Sequence, residues 1–244
     1  MINDKINHRE NCFFVDSRRL ECLRMNEKCD EKIVKNEFSA VILSAGFSSR
    51  MHDFKPLLPI GEIPAIGRLV QGFAEAGVGE IIVVVGHRHK EIEAYLKTLP
   101  KEVQKVLKIK LNPIFAEGMY TSVQAGVAEV STDNQGFFML PVDYPLVRKE
   151  VFGRLMDFWC REKQSATRLV YPVCGEKRGH PPLLSTEFIP EILTKEQPMG
   201  LRSFFMNHQH HAENLAVDDE TILWDMDSPA DYAKLCEMFL TMKK

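Results

Sequence analysis

The chain has 244 residues, 45% of them hydrophobic, which suffices for a buried core in one large α/β domain or two small ones and excludes a wholly disordered chain. Lys and Arg total 31 against 34 Asp and Glu, a formal charge of −3; this leaves no broad basic footprint for nucleic acid but keeps small phosphorylated ligands open. No apolar run nears the roughly 18 residues of a membrane span, and the amino terminus is not basic-then-apolar, so a soluble, cytoplasmic protein without a membrane partner is expected.

Residues 1–36 lack Gly and Pro, carry 8 basic and 7 acidic residues, and show only a weak apolar pattern around Leu20, Leu23, Ile33 and Val34. They read as an appended arm, partly helical or disordered, over 1–37, with the main domain over 38–244. The six cysteines, Cys12, Cys22, Cys29, Cys160, Cys174 and Cys236, contain no C-x-x-C pair, so reduced structural thiols are expected.

In the main domain Ala40-Val41-Ile42-Leu43 is a buried strand that breaks into the glycine loop Ser44-Ala45-Gly46. Pro64 opens a helix with Ile66, Leu69, Val70 and Phe73 at helical spacing, stopped by Gly77 and Gly79. Ile81 to Val85 is a second buried strand. Ile92, Tyr95, Leu96 and Leu99 mark a helix, and Lys108 to Leu111 a short strand ending in Asn112-Pro113. A helix over Met119 to Val130 leads to the buried run Phe137 to Leu140, which ends in Pro141-Val142-Asp143-Tyr144-Pro145. Beyond it come a helix near Lys149 to Glu162, strands at Leu169 to Val173 and Pro182 to Leu184, short helices around Phe188 and Phe204, and a closing helix from Pro229 to Met242. Repeated βα alternation predicts a doubly wound, mostly parallel sheet, Rossmann-like, with helices on both faces.

Ligands of such sheets bind beyond the carboxyl ends of the strands. The loop after the first strand is the richest of these positions. Leu43, Ser44, Ala45, Gly46 and Ser48 offer a small-residue backbone, and Arg50 and Lys55 add cations, together a triphosphate cradle. Neither G-x-x-x-x-G-K-[ST] nor G-x-G-x-x-G is present, which disfavours P-loop NTPases and ordinary dinucleotide binders. Gly118 to Ser122 sits where a loop becomes a helix, so its backbone N–H groups and hydroxyls either face a nucleotide or simply cap the helix. Adjacent His87 and His89 do not converge on one ion, His208, His210 and His211 have no recognised ligand spacing, and Trp159, Trp224 and the phenylalanines are assigned to core packing.

The loop with its Arg50-Met51 pair, together with Lys55-Pro56-Leu57-Leu58-Pro59, resembles the signature of the MobA-like nucleotidyltransferases. Asn112-Pro113, Gly118-Met119-Tyr120-Thr121-Ser122, Leu140 to Pro145, Gly179-His180-Pro181 and Asp225 to Tyr232 agree in order, and the resemblance is greatest to the molybdenum cofactor cytidylyltransferases. His52, where the family usually has Gly, and Ser44, where Ala or Gly is commoner, depart from the pattern, and the arm has no counterpart in it.

The resemblance implies attack by an acceptor phosphate on the α-phosphorus of a nucleoside triphosphate, with CTP as donor, a molybdopterin-type cofactor as acceptor and Mg2+ as the metal. It implies catalytic roles for Arg50, Lys55 and Asp143, nucleotide contacts from the loop together with Asn112, Gly118 and Ser122, and acceptor contact from His180. Asp143 and Asp227 are the implied metal ligands; Asp225 would point the same way as Asp227 in an extended segment, and Asp227 before Ser228-Pro229 also suits a helix N-cap. A molybdenum hydroxylase apo-enzyme is a further conceivable partner. Rival readings are guanylyl transfer, transfer to a sugar or alcohol phosphate, and a non-catalytic molybdenum cofactor carrier.

Overall fold

The computed structural model describes residues 35–51, 53–161, 168–194 and 199–242. The expectations for the arm, including Cys12, Cys22 and Cys29, and for His52 and Glu162 fall outside these residues. The described chain opens with a short turn, Lys35–Glu37, whose last carbonyl accepts from the Gln135 N–H at 2.8 Å.

Strand β1 (Phe38–Ser44) is buried along its whole length because it has a partner on each side. It pairs in parallel with β4 (Glu80–Val85) and with β6 (Gly136–Pro141). Strand β5 (Leu107–Leu111) extends the sheet in parallel beyond β4. On the other side β9 (Leu183–Ser185) runs antiparallel between β6 and β7 (Leu169–Cys174), and β10 (Ala212–Ala216) closes that edge in parallel with β7. The order is β10-β7-β9-β6-β1-β4-β5, with the short β8 (Lys177–Arg178) paired to β7. A separate hairpin joins β2 (Pro59–Ile60) to β3 (Ile63–Pro64).

Alternate residues of β1 serve opposite layers, as the period of two requires. Ala40 and Ile42 pack with Ile66, Leu69, Val70 and Phe73 of α1 (Ala65–Ala76), with Ile92 of α2 (His89–Leu96), with Phe152 and Leu155 of α5 (Lys149–Arg161), and with Leu235 and Phe239 of α8 (Pro229–Met242). Val41 and Leu43 face Val123 and Val127 of α4 (Met119–Val127), Ile192 of α6 (Ile189–Thr194), and Phe204 of α7 (Leu201–Asn207). Burial of both faces explains why the central strands read as continuous apolar runs. Trp159 lies edge-on to Phe38 in the first layer, and Cys160, Cys174 and Cys236 are half-buried thiols.

Several elements, the short β8 among them, escaped the sequence reading. β10, Ala-Glu-Asn-Leu-Ala, is an edge strand with no buried residue, so it lacks an apolar run. Helix α3 (Lys101–Val106) likewise buries none of its residues, and the β2–β3 hairpin is only two residues a side. Each is positioned by its neighbours rather than by its own periodicity.

Helix α4 approaches the sheet closely at Gly126, where a Cβ would lie 2.5 Å from Val41 Cγ1 and 2.7 Å from Val84 Cγ2. Both valines are fully buried and have nowhere to move. Gly126→Ala is expected to destabilise the fold by about 1–3 kcal/mol despite the better helix propensity of alanine. Urea denaturation checks this; an unchanged midpoint would show that α4 can shift without loss.

Candidate active site

The chain leaves β1 toward β4 and β5 and returns to β6 on the other side, so a crevice opens at the carboxyl ends of β1, β4 and β6. A cavity of about 350 Å³ occupies it. Backbone bonds fix its rim: Leu43 O accepts from Val142 N at 3.0 Å, Ala45 O from His87 N at 3.1 Å, and Val85 O from Asn112 N at 2.8 Å. Leu43, Ser44, Ala45, Gly46, Ser48, Arg50, Lys55, Gly118, Ser122, Asp143 and Asp227 all line it. These residues come from five separate stretches of chain.

The loop after β1 is closed by Ser48, whose backbone is left-handed at φ 55°. Its carbonyl accepts from Met51 N at 2.9 Å and its Oγ from Lys55 N at 3.1 Å, so Ser48 folds the loop back on itself as well as facing the cavity. Lys55 then starts a 3-10 turn with Pro56 and is only 8% exposed, an unusual burial for a lysine. Its Nζ donates to Asp227 Oδ1 at 2.9 Å, which gives the buried amine a partner. Arg50 grips the same carboxylate with both terminal nitrogens, at 2.6 and 3.1 Å, although its side chain is 71% exposed.

Asp227 is placed by what flanks it. Met226 is fully buried and its N–H donates to Asp143 O at 2.8 Å, tying the two carboxylate segments together. The helix cap falls on Ser228: its Oγ accepts from Asp231 N at 3.3 Å while Asp231 Oδ2 accepts from Ser228 N at 2.8 Å, a reciprocal capping box. Asp227 is thereby left to face the cavity and the two cations. Asp225 is exposed and does not line the cavity.

Asp143 is set deeper. Burial pushes its carboxyl up to about 6, opposed by the Lys55 ammonium and reinforced by Asp227 and Asp225. Its Oδ1 is buried and has no hydrogen-bond partner among the described residues. A buried, unpartnered carboxylate oxygen beside a second carboxylate is a chemical fit for a divalent cation with oxygen preference. Among the described residues no three His, Cys, Asp or Glu side chains group as a metal site, so a cation here would draw on Asp143 and Asp227 and take its other ligands from elsewhere.

Two sequence-derived site residues stand away from the cavity. Asn112 is buried behind it: Nδ2 donates to Thr121 Oγ1 at 2.8 Å and Ser122 Oγ at 2.9 Å, and Oδ1 accepts from Ile114 N at 3.1 Å. Its amide braces the Gly118–Ser122 turn instead of facing a nucleotide. His180 does not line the cavity either; its ring lies 4.3 Å from that of Tyr144, and burial holds the imidazole down at about 4, hence neutral. The reverse case is Phe47, which the sequence reading placed in the core and which is 54% exposed on the cavity wall. His87 packs against Phe47 and Phe54 rather than marking a metal cluster, and Arg88 pairs with Glu91.

Tyr144, absent from the sequence-derived set, has its hydroxyl pushed up to about 12 by burial and by Asp143, Asp225 and Asp227. Its position next to Asp143 was the available signal. No described helix is long and apolar enough to cross a membrane.

The chain is similar to the molybdenum cofactor cytidylyltransferase of Escherichia coli (strain K12), with 26% identity over 200 residues, 82% of this chain and 95% of that one. Among solved structures it resembles a nucleotidyl transferase from Methanothermobacter thermautotroptrophicus (TM-score 0.70, 21% identity, 84% of this chain and 98% of that one). It also resembles Rv0371C of Mycobacterium tuberculosis H37Rv in complex with manganese (TM-score 0.65, 22% identity, 82% and 97%). The family model for the MobA-like NTP transferase domain matches residues 40–212, spanning both the loop after β1 and Asp143. With that match over most of its length and a Rossmann-like, mostly parallel sheet, the chain belongs to the MobA-like NTP transferases.

Proposed function

We propose that the protein transfers CMP from CTP to a phosphate-bearing molybdopterin-type cofactor, releasing pyrophosphate, with Mg2+ held by Asp143 and Asp227. The observation that carries this reading is the facing of two cations, Arg50 and Lys55, with two carboxylates, Asp227 and Asp143, on one cavity at the switch point of the sheet. The near full-length similarity to the Escherichia coli enzyme supports the choice of donor and acceptor, and the manganese-bound neighbour supports a divalent metal.

In the reaction an acceptor phosphate oxygen forms a bond to the α-phosphorus as the bond to the pyrophosphate oxygen breaks. The attacking oxygen is already anionic, so no residue need remove a proton. What the protein must overcome is the repulsion of two anions and the charge of a departing third. Lys55 supplies buried and Arg50 exposed positive charge for the phosphates, and the small-residue loop Ala45 to Ser48 lets them approach its backbone closely. Magnesium, when bound, adds positive charge on the phosphate oxygens. Asp143 and Asp227 hold it, and the depth of Asp143 keeps competing water away from that side. A carrier that never turned over would have no use for carboxylates set opposite phosphate-binding cations.

The test is pyrophosphate release from CTP, GTP, ATP and UTP with magnesium, each with and without molybdenum-loaded molybdopterin. Acceptor-dependent release from CTP is expected. Release from GTP alone moves the protein to guanylyl transfer, and tight cofactor binding without release from any triphosphate leaves only a carrier.

A further inference from the structure

The cavity lining is of two chemical kinds. Arg50 and Lys55 both contact Asp227, and the Asp143 carboxyl feels the charges of Lys55 and Asp227. The apolar kind is Phe47, which leans on Phe115 with ring centroids 5.0 Å apart, together with Met119. Phe47 is 54% and Met119 67% exposed, so apolar surface is presented to the cavity instead of being folded away. The Phe47 ring is also braced from behind: His87 lies 5.3 Å from it, and His87 in turn packs edge-on against Phe54, a buried core residue. Ser44, 1% exposed, lines the same cavity with a hydroxyl that has no partner among the described residues.

We infer that Phe47, braced by Phe115 and His87, is the stacking platform for the base of the nucleoside triphosphate, with Met119 as a second apolar contact. The inference rests on the nucleotidyl-transfer reading and adds to it how the base is held. The triphosphate belongs with the charged groups, which leaves the exposed apolar surface of Phe47 for the flat heterocycle. A ring covering Phe47 removes exposed apolar area from water and gains offset stacking at little entropic loss, because the braced phenyl is already in place. Since every base has a π-face, Phe47 contributes affinity and not the choice among bases.

The experiment is titration calorimetry of CTP and of inorganic tripolyphosphate, with magnesium, on the wild-type chain, Phe47→Ala and Phe47→Trp. Phe47→Ala is expected to weaken CTP by about tenfold and to leave tripolyphosphate unchanged; the latter also reports that the loop is intact. In Phe47→Trp, CTP should quench the new indole fluorescence and tripolyphosphate should not. Unchanged CTP affinity in Phe47→Ala overturns the inference alone, and so does an equal loss for both ligands, which would make Phe47 a support of the phosphate loop. If the wild-type chain binds tripolyphosphate but no nucleoside triphosphate, the nucleotidyl-transfer reading falls and the inference with it.

Discussion

Replacing Asp143 by Asn should lower turnover by about 10²–10³-fold and at the same time make the protein more stable above pH 6. The carboxyl stands at about 6 in the fold, above its ordinary value of 3.8, because burial disfavours the charged form more than Lys55 favours it. Between pH 3.8 and about 6 the folded chain therefore binds more protons at this site than the unfolded chain, and stability falls as the pH rises through that window. Above it the penalty is constant, on the order of 3 kcal/mol. Asn carries no charge, so the gain should be present at pH 8 and vanish below about pH 4. Denaturant titrations of both chains at those two pH values, in a chelator, measure it. Equal stability at pH 8 would mean that Asp143 is better solvated than its burial indicates. Metal affinity should follow the same proton, weakening as the pH drops through 6.

The second large effect is at Lys55. Lys55→Met removes the one cation that is both buried and in contact with Asp227, and a loss in kcat/KM of about 10²–10³-fold is expected. Lys55→Arg should not rescue it, because the branched guanidinium does not fit a site that leaves Lys55 only 8% exposed. Arg50→Ala should be milder, about tenfold, since a side chain 71% exposed acts through water and counterions. Steady-state rates of the three variants decide the order. A larger loss at Arg50 than at Lys55 would show that the exposed cation closes over the substrate and works there desolvated.

The central strands and helices were legible because burial on both sides writes long apolar runs, as in Ile81 to Val85, and because α1 keeps its apolar stripe between Pro64 and Gly77. Strand β10 was not, since an edge strand with Glu213 and Asn214 at its centre carries no such mark. In the site, the charged residues at strand ends and in the first loop do come together: Arg50, Lys55, Asp143 and Asp227 share one cavity. Residue types failed where the same type can face either way. Asn112 looked like a ligand group and is a brace, and Phe47 looked like core and is on the wall. Asp225 and Asp227 were separable only by the burial of Met226 between them and by the cap at Ser228.

Arg50 and Lys55 share one carboxylate, Asp227, so that side chain is the hub of the charged cluster. Were Asp227 to serve as a metal ligand, its carboxylate would have to leave Arg50 and Lys55, and those two cations would then be free for the phosphates. Metal and triphosphate would in that case raise one another's affinity by the same factor, and after pyrophosphate had left, the three side chains would be free to re-form their contacts.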